Sequence, residues 1–331
     1  MGKEGCSFWR LFNILLSLAF LGAGGYLIWY FLGKPDPSEV KDAFGSLGDF
    51  KDVLGNLSGF NFGDLYNNDP YLSDNSTSLW PTSGTGGLTL EIINALDDTW
   101  QTEFKTAISD WDNGDPDALT LKVTRAAVDY NCTVIDGVQK VCSANFGETG
   151  WLGINVIQTA VSSGYIVSSI AKMNEYYLRN AKYDERQYTM CHEIGHGFGL
   201  PHTDESFTNP SLGNCLDYTN KPEENMHPSG MNYRRLASMY GTVQSRRLGM
   251  KKDESTETRS RIQLPVGLKL EFQEALDEIE QLSFRRSLLE DGVGSLWQLV
   301  DDHPKGSRYW RPLGEDYSIE VSMLHAPLTE D

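Results

Sequence analysis

Apolar positions divide this chain into stretches of different period. From Leu11 to Gly33 the run "LFNILLSLAFLGAGGYLIWYFLG" carries no charged residue, and roughly 20 apolar residues suffice to cross a bilayer as a helix. The run continues through "YLIWYFL" past the small residues "GAGG", where a signal peptide could be cut. Residues 11–33 are therefore expected to form a transmembrane signal anchor, with secretion after signal cleavage as the alternative. Tyr26, Trp29 and Tyr30 suit an interfacial aromatic belt. Lys3 and Arg10 precede the span, while Lys34 is followed by Asp36, Glu39 and Asp42. This asymmetry places 1–10 in the cytosol and the rest of a single-pass protein on the extracellular or lumenal side. From 34 to 87 the pattern lapses: Asp, Gly, Asn and Ser dominate, as in a flexible stalk or propeptide-like segment.

Regular periods begin at Leu88. "LTLEIINAL" and "LTLKVTRAAVDY" read as strands, and "DTWQTEFKTAISDW" between them has apolar residues at helical spacing. "GWLGINVIQTA" and "GYIVSSIAKMN" are two further strand candidates, and 183–199 reads as a helix. A loop region and a short apolar segment, "YRRLASMYG", follow. After Thr242 comes a charged linker, then "LKLEFQEALDEIEQLSFRRSLLE", a helix with Leu268, Phe272, Leu276 and Ile279 on one face. The C-terminal stretch reads as strands around turns, either an appended β unit or the completion of the main domain. The expected organisation is α+β: a main domain over 88–243, then a linker, helix and β-rich extension over 244–331.

The net charge of −18 leaves no basic surface for nucleic acid. Of five cysteines, four follow the anchor, in a compartment where disulfides persist. Cys132 and Cys142 flank "TVIDGVQKV", whose "DG" suggests a hairpin tip. Cys191 and Cys215 form a second candidate pair, although four cysteines allow three pairings. Asn56, Asn75 and Asn131 head glycosylation sequons.

The chemistry concentrates in "CHEIGHGFGLPHTDE", residues 191–205, which holds three of the six histidines within eleven positions. Residues four apart share a helix face, so His192 and His196 can aim at one point, with Glu193 rotated by about 100°. Gly199 allows the backbone to turn away sharply in a left-handed conformation and to return His202 as a third ligand. Three imidazoles around Zn2+ leave an open position, the mark of a catalytic site. Glu193 could then take a proton from water held there and pass it to a leaving amine.

The pattern H-E-x-x-H-x-x-G-x-x-H in "HEIGHGFGLPH" resembles the ligand motif of the metzincin zinc endopeptidases, and "GWLGI", "AKMN" and "NCLDYTN" are similar to secreted microbial members. The resemblance implies a metzincin-like zincin domain: a twisted mixed β-sheet, an active-site helix and a small C-terminal subdomain. It also implies His192, His196 and His202 as zinc ligands, Glu193 as general base, and protein or peptide substrates. "GYIVSSIAKMN" would be the edge strand on which substrate aligns. Metzincins carry a methionine turn beneath the metal with a tyrosine two residues on; "NCLDYT" has Leu216 and Tyr218 at those places, and "GMNY" offers Met231 and Tyr233 farther away. Leu and Met are close in volume. Tyr218 is then a candidate catalytic residue, and Asp204 a candidate hydrogen-bond partner near the metal. Residues 34–87 contain no cysteine for a cysteine switch, which leaves Asp49 or Asp64 as candidates for an aspartate switch. The alternatives are a catalytically weak metzincin-like cell-surface binding protein, or a zinc hydrolase of non-peptide substrates.

Overall fold

The computed structural model describes residues 78–82, 86–206, 209–243, 266–282 and 296–326, all within one compact unit, 68–331. The expected anchor, nearly all of the stalk, Asn56, Asn75 and both aspartate-switch candidates lie outside these residues. No helix among the described residues is long and apolar enough to cross a membrane.

The fold is α+β. Strands β1 (Leu88–Asn94), β2 (Leu119–Arg125), β3 (Gln139–Ala144), β4 (Trp151–Ala160) and β5 (Tyr165–Asn174) come first, with helix α1 (Gln101–Asp112) between β1 and β2. Helices α2 (Glu175–Leu178), α3 (Tyr183–His196), α4 (Gly230–Tyr240) and α5 (Val266–Leu282) follow, and β6 (Gln298–His303), β7 (Gly306–Leu313) and β8 (Tyr317–His325) end the described chain. All eight strands form one mixed sheet in the order β2-β1-β3-β5-β4-β8-β7-β6. The β2-β1-β3-β5 part is parallel, and every pairing from β5 through β4 to β6 is antiparallel.

Alternation along the strands sorts the core into two faces. Met173, Ala171 and Ile157 join Ile194, Phe198 and Trp111 in one buried cluster, under α1 and α3. Ile170, Val156, Ile154 and Trp151 join Phe272, Leu276 and Ile279 of α5 in the other. The face read from the sequence of α5 is thus the face it buries. Helix α3 is tied to α1 by a buried ion pair, Arg186 Nε to Glu103 Oε1 at 2.6 Å, with the Arg186 guanidinium 3.8 Å above the Trp100 ring.

Two expectations are revised and one open alternative is decided. The residues between the first cysteine pair do not form a hairpin: β3 pairs in parallel with β1 and β5, and the Cys132–Cys142 disulfide staples the preceding turn to β3. The "DG" turn lacked a strand before it, because 126–138 carries no uninterrupted alternation. "GYIVSSIAKMN" is β5, an interior strand between β3 and β4; its nearly continuous burial is what an interior position demands. The C-terminal strands are not an appendage, since β8 pairs with β4 from Trp151 to Ala160 and completes the sheet.

Candidate metal centre

The site starts from how α3 ends. The last carbonyls of a helix need partners from elsewhere, and here buried side chains supply them. Asn155 Nδ2 donates to Glu193 O at 2.8 Å, Gln139 Nε2 to Ile194 O at 3.0 Å, and Trp80 Nε1 to Gly197 O at 2.8 Å. Two strands and the 78–82 segment thereby fix the histidine-bearing turn. The chain then leaves through Gly199 at φ +84°, the left-handed conformation expected there, and a Cβ at this position would strike Ser78 O at 2.3 Å.

His202 returns to the two helical histidines. His196 Nε2 lies 3.0 Å from His192 Nε2 and 3.1 Å from His202 Nε2. Their other nitrogens settle the tautomers. His192 Nδ1 donates to Cys215 O at 2.7 Å, and His196 Nδ1 donates to Leu200 O at 2.8 Å. A carbonyl only accepts, so both Nδ1 atoms carry the proton and both Nε2 lone pairs face inward. His202 Nδ1 faces Glu205 Oε1 at 3.3 Å. Burial, reinforced by the neighbouring imidazoles, holds His192 and His202 well below the usual histidine range. Burial likewise brings His196 down to about 4. All three are neutral at physiological pH, the form that binds metal.

Glu193 is fully buried, and among the described residues neither carboxylate oxygen has a hydrogen-bond partner. Burial pushes its carboxyl well above the ordinary range. Gly153 of β4 makes room for it, because a Cβ there would come within 2.7 Å of Glu193 Cγ and Oε1. His196 Nε2, within 3.1 Å of Nε2 of both other histidines, and a buried carboxylate with no partner among the described residues are groups that a cation would satisfy together. The residues therefore fit a bound metal, with His192, His196 and His202 as its ligands.

The 215–218 segment closes the far side. The Cys191–Cys215 disulfide ties it to α3, and Thr203 N to Leu216 O (2.8 Å) and Tyr218 N to Asp204 O (3.0 Å) tie it to the His202 strand. Leu216 is fully buried, 3.1 Å from where a Cβ at Gly195 would stand. The Tyr218 ring centroid is 4.2 Å from that of His202, and burial raises its hydroxyl far above the usual range, so it keeps its proton. Met231 and Tyr233 lie instead on α4, where the Tyr233 hydroxyl donates to Asp110 O. Asp204 does not reach a histidine: its carboxylate accepts from Ser206 N and Asn209 Nδ2, and Glu205 takes the expected place beside His202.

Sequence reasoning missed the contributions of distant strands. His303 of β6 bonds Glu205 Oε2 at 2.9 Å and Asp301 Oδ1 at 3.0 Å. Arg308 of β7 with Glu320 and Ser322 of β8 line a cavity of about 30 Å3 shared with His196 and His202. No local signal marks them, because strand pairing alone brings them to the histidines. Glu205, three residues after His202, was legible by proximity. Comparisons of the chain with protein-family models, with curated protein sequences and with solved structures give no match.

Proposed function

We propose that the chain is a zinc-dependent peptidase of metzincin type, with His192, His196 and His202 holding the metal. The observation that carries this reading is the convergence of His192 and His202 Nε2 on His196 Nε2, at 3.0 and 3.1 Å, next in the chain to the Glu193 carboxylate that has no partner among the described residues. When bound, zinc would lower the pKa of a water and polarise a substrate carbonyl. Glu193 is the general base: its Oε atoms accept the proton released on attack and return it to the leaving amine nitrogen. Its raised affinity for a proton, caused by burial, suits a group that must hold one briefly near neutral pH. Asn155, bonded to the Glu193 carbonyl, positions that base. Tyr218, protonated and beside His202, is a donor for developing charge on the carbonyl oxygen. The carbonyls of Cys215 and Leu200 keep the imidazoles in their ligating tautomer.

The extracellular or lumenal placement rests on the sequence of 11–33 and on two disulfides, Cys132–Cys142 and Cys191–Cys215. Asn131 is exposed on its turn, as a glycosylated residue must be. The test is to measure bound zinc and the hydrolysis of a mixed peptide library, with glycans and esters in parallel, for the wild-type chain and Glu193→Gln. Zinc in both proteins, with peptide hydrolysis only in the first, is the expected result. Absence of zinc would falsify the assignment, and turnover confined to esters or glycans would move it to another hydrolase class.

A further inference from the structure

We propose that the C-terminal strands β6–β8 hold this centre latent, with β8 occupying the place beside β4 where an extended polypeptide substrate would add to the sheet. The inference rests on the peptidase reading above and concerns the regulation of the same site.

Substrates that bind by strand addition need a free strand edge with unpaired backbone groups. Strand β4 runs beneath the histidine turn, with Gly153 against Glu193 and Asn155 bonded to its carbonyl. One side of β4 is taken by β5. The other is paired with β8 over nine register positions, from Trp151↔His325 to Ala160↔Tyr317. Strand β4 therefore keeps no free edge for a substrate.

The side-chain alternation of β8 sharpens the point. Cross-strand partners lie on the same face of a sheet. Leu324, Ser322 and Glu320 oppose Gly153, Asn155 and Ile157, so they face α3. Glu320 and Ser322 line the cavity next to His196 and His202, where a bound peptide would present its own groups. That cavity, about 30 Å3, has room for a water but not for a residue; ligand pockets usually measure about 300 Å3 or more. Glu193 is wholly inaccessible and the His202 side chain is only 6 % exposed.

The opposite face shows how firmly the closure is held. Ile319, Val321 and Met323 are at most 1 % exposed and belong to the cluster with Phe272, Leu276 and Ile279 of α5. Strand β8 is thus anchored by a core as well as by its ladder, which makes the closed form the dominant one and not a fluctuating gate.

The test compares the zinc-loaded full chain with Val321→Ala, which loosens the anchor, and Ser322→Pro, which removes a ladder donor. Hydrolysis of fluorogenic decapeptides and thermal unfolding are read together. Both variants should unfold at lower temperature yet cleave at least about 10-fold faster, with the gain abolished by Glu193→Gln. Strands that merely support the fold would give the opposite coupling, so measurable peptide cleavage that falls or stays level as stability drops overturns the proposal. A second measurement uses the unaltered chain, in case a variant does not fold. Hydrogen exchange of β8 amides is followed as the zinc-loaded protein meets acetohydroxamate or a tetrapeptide hydroxamate. Binding of the small ligand alone, or loss of β8 protection when the peptide binds, is expected; a bound peptide with β8 still protected overturns the closure. Folded, zinc-loaded variants that cleave no peptide would instead retire the peptidase reading, and the exchange result would still decide the closure.

Discussion

Two groups of ligand-type side chains flank Tyr218, and they differ in how far solvent reaches them. His192 and His196 are buried and the His202 side chain is 6 % exposed, with inward nitrogens that are all acceptors in the neutral state. The nearby Glu193 carboxylate has no partner among the described residues. On the other side, His303 lies between Glu205 and Asp301 at 2.9 and 3.0 Å, and all three side chains are about a third exposed. His303 Nε2 lies within hydrogen-bond distance of both carboxylates, and solvent screens the charge of the group. Both groups meet the spacing of a metal site, but only the first leaves a buried carboxylate without a partner among the described residues. Unsatisfied burial, more than the presence of ligands, separates a metal centre from an ion pair.

The largest effect should come from breaking the first group. His192→Ala is expected to reduce bound zinc from about one per chain to a trace, because two ligands do not make a closed set; mass spectrometry of the native protein reads this directly. Glu193→Gln should keep the zinc and lower peptide turnover by about 10²–10⁴-fold, the usual contribution of a general base. This substitution also has a stability signature in the metal-free chain. Folding raises the Glu193 pKa above its ordinary value, so the wild type is favoured at low pH and loses that stability as pH rises toward the raised value. Gln carries no charge, so its advantage in thermal unfolding should grow from pH 4 to pH 8. A constant difference would mean that the carboxylate is solvated after all.

The histidines act in the opposite direction. Their folded pKa values lie below the ordinary one, with His196 at about 4. The unfolded chain therefore takes up protons first, near pH 6.5. Stability from the neutral histidines is complete above that pH and is lost as pH falls toward 4. Zinc should be released over the same interval, because protons compete for the ligands. A zinc titration that shows undiminished affinity at pH 5 would contradict the ligand assignment.

How legible each region was in the sequence follows from the range of its contacts. The α3 histidines, the Gly199 turn and the apolar face of α5 come from periods of three and four residues, and all three emerged as read. Leu216 and Tyr218 lie nearer to His202 in the sequence than Met231 and Tyr233, and the Cys191–Cys215 bond ties that segment to α3. What stayed hidden was pairing. Strands β4 and β5 were recognised as strands, but their order was not, because apolar runs of this kind suit any interior position. The partnership of β4 with β8, more than 150 residues later in the chain, left no trace in local pattern, and with it went the roles of Arg308 and Glu320.

A gentler perturbation tests the support around the first group. Removing Cys191–Cys215, which closes a loop of 24 residues, should cost about 3 kcal/mol of stability. Since Cys215 O holds His192 in its tautomer, zinc affinity should also drop by about 10–100-fold, as for other partners of metal ligands. Chemical denaturation and competition with a chelator separate the two effects; a stability loss with unchanged affinity would show that the carbonyl stays in place without the bond.

The smallest effect should come from the second group, and it decides whether the comparison holds. His303→Ala removes an ion pair that is 34 % exposed on the histidine side and 36 % exposed at Glu205, so screening limits the loss to roughly 0.2–1 kcal/mol. The loss should shrink further in high salt. Glu205 would still face His202 Nδ1, so the zinc content of the full chain should not change. If the wild type instead bound a second equivalent of metal that this substitution removed, Glu205, Asp301 and His303 would be ligands in their own right. Burial would then no longer separate the two groups, since a solvated cluster would have proved able to take a cation.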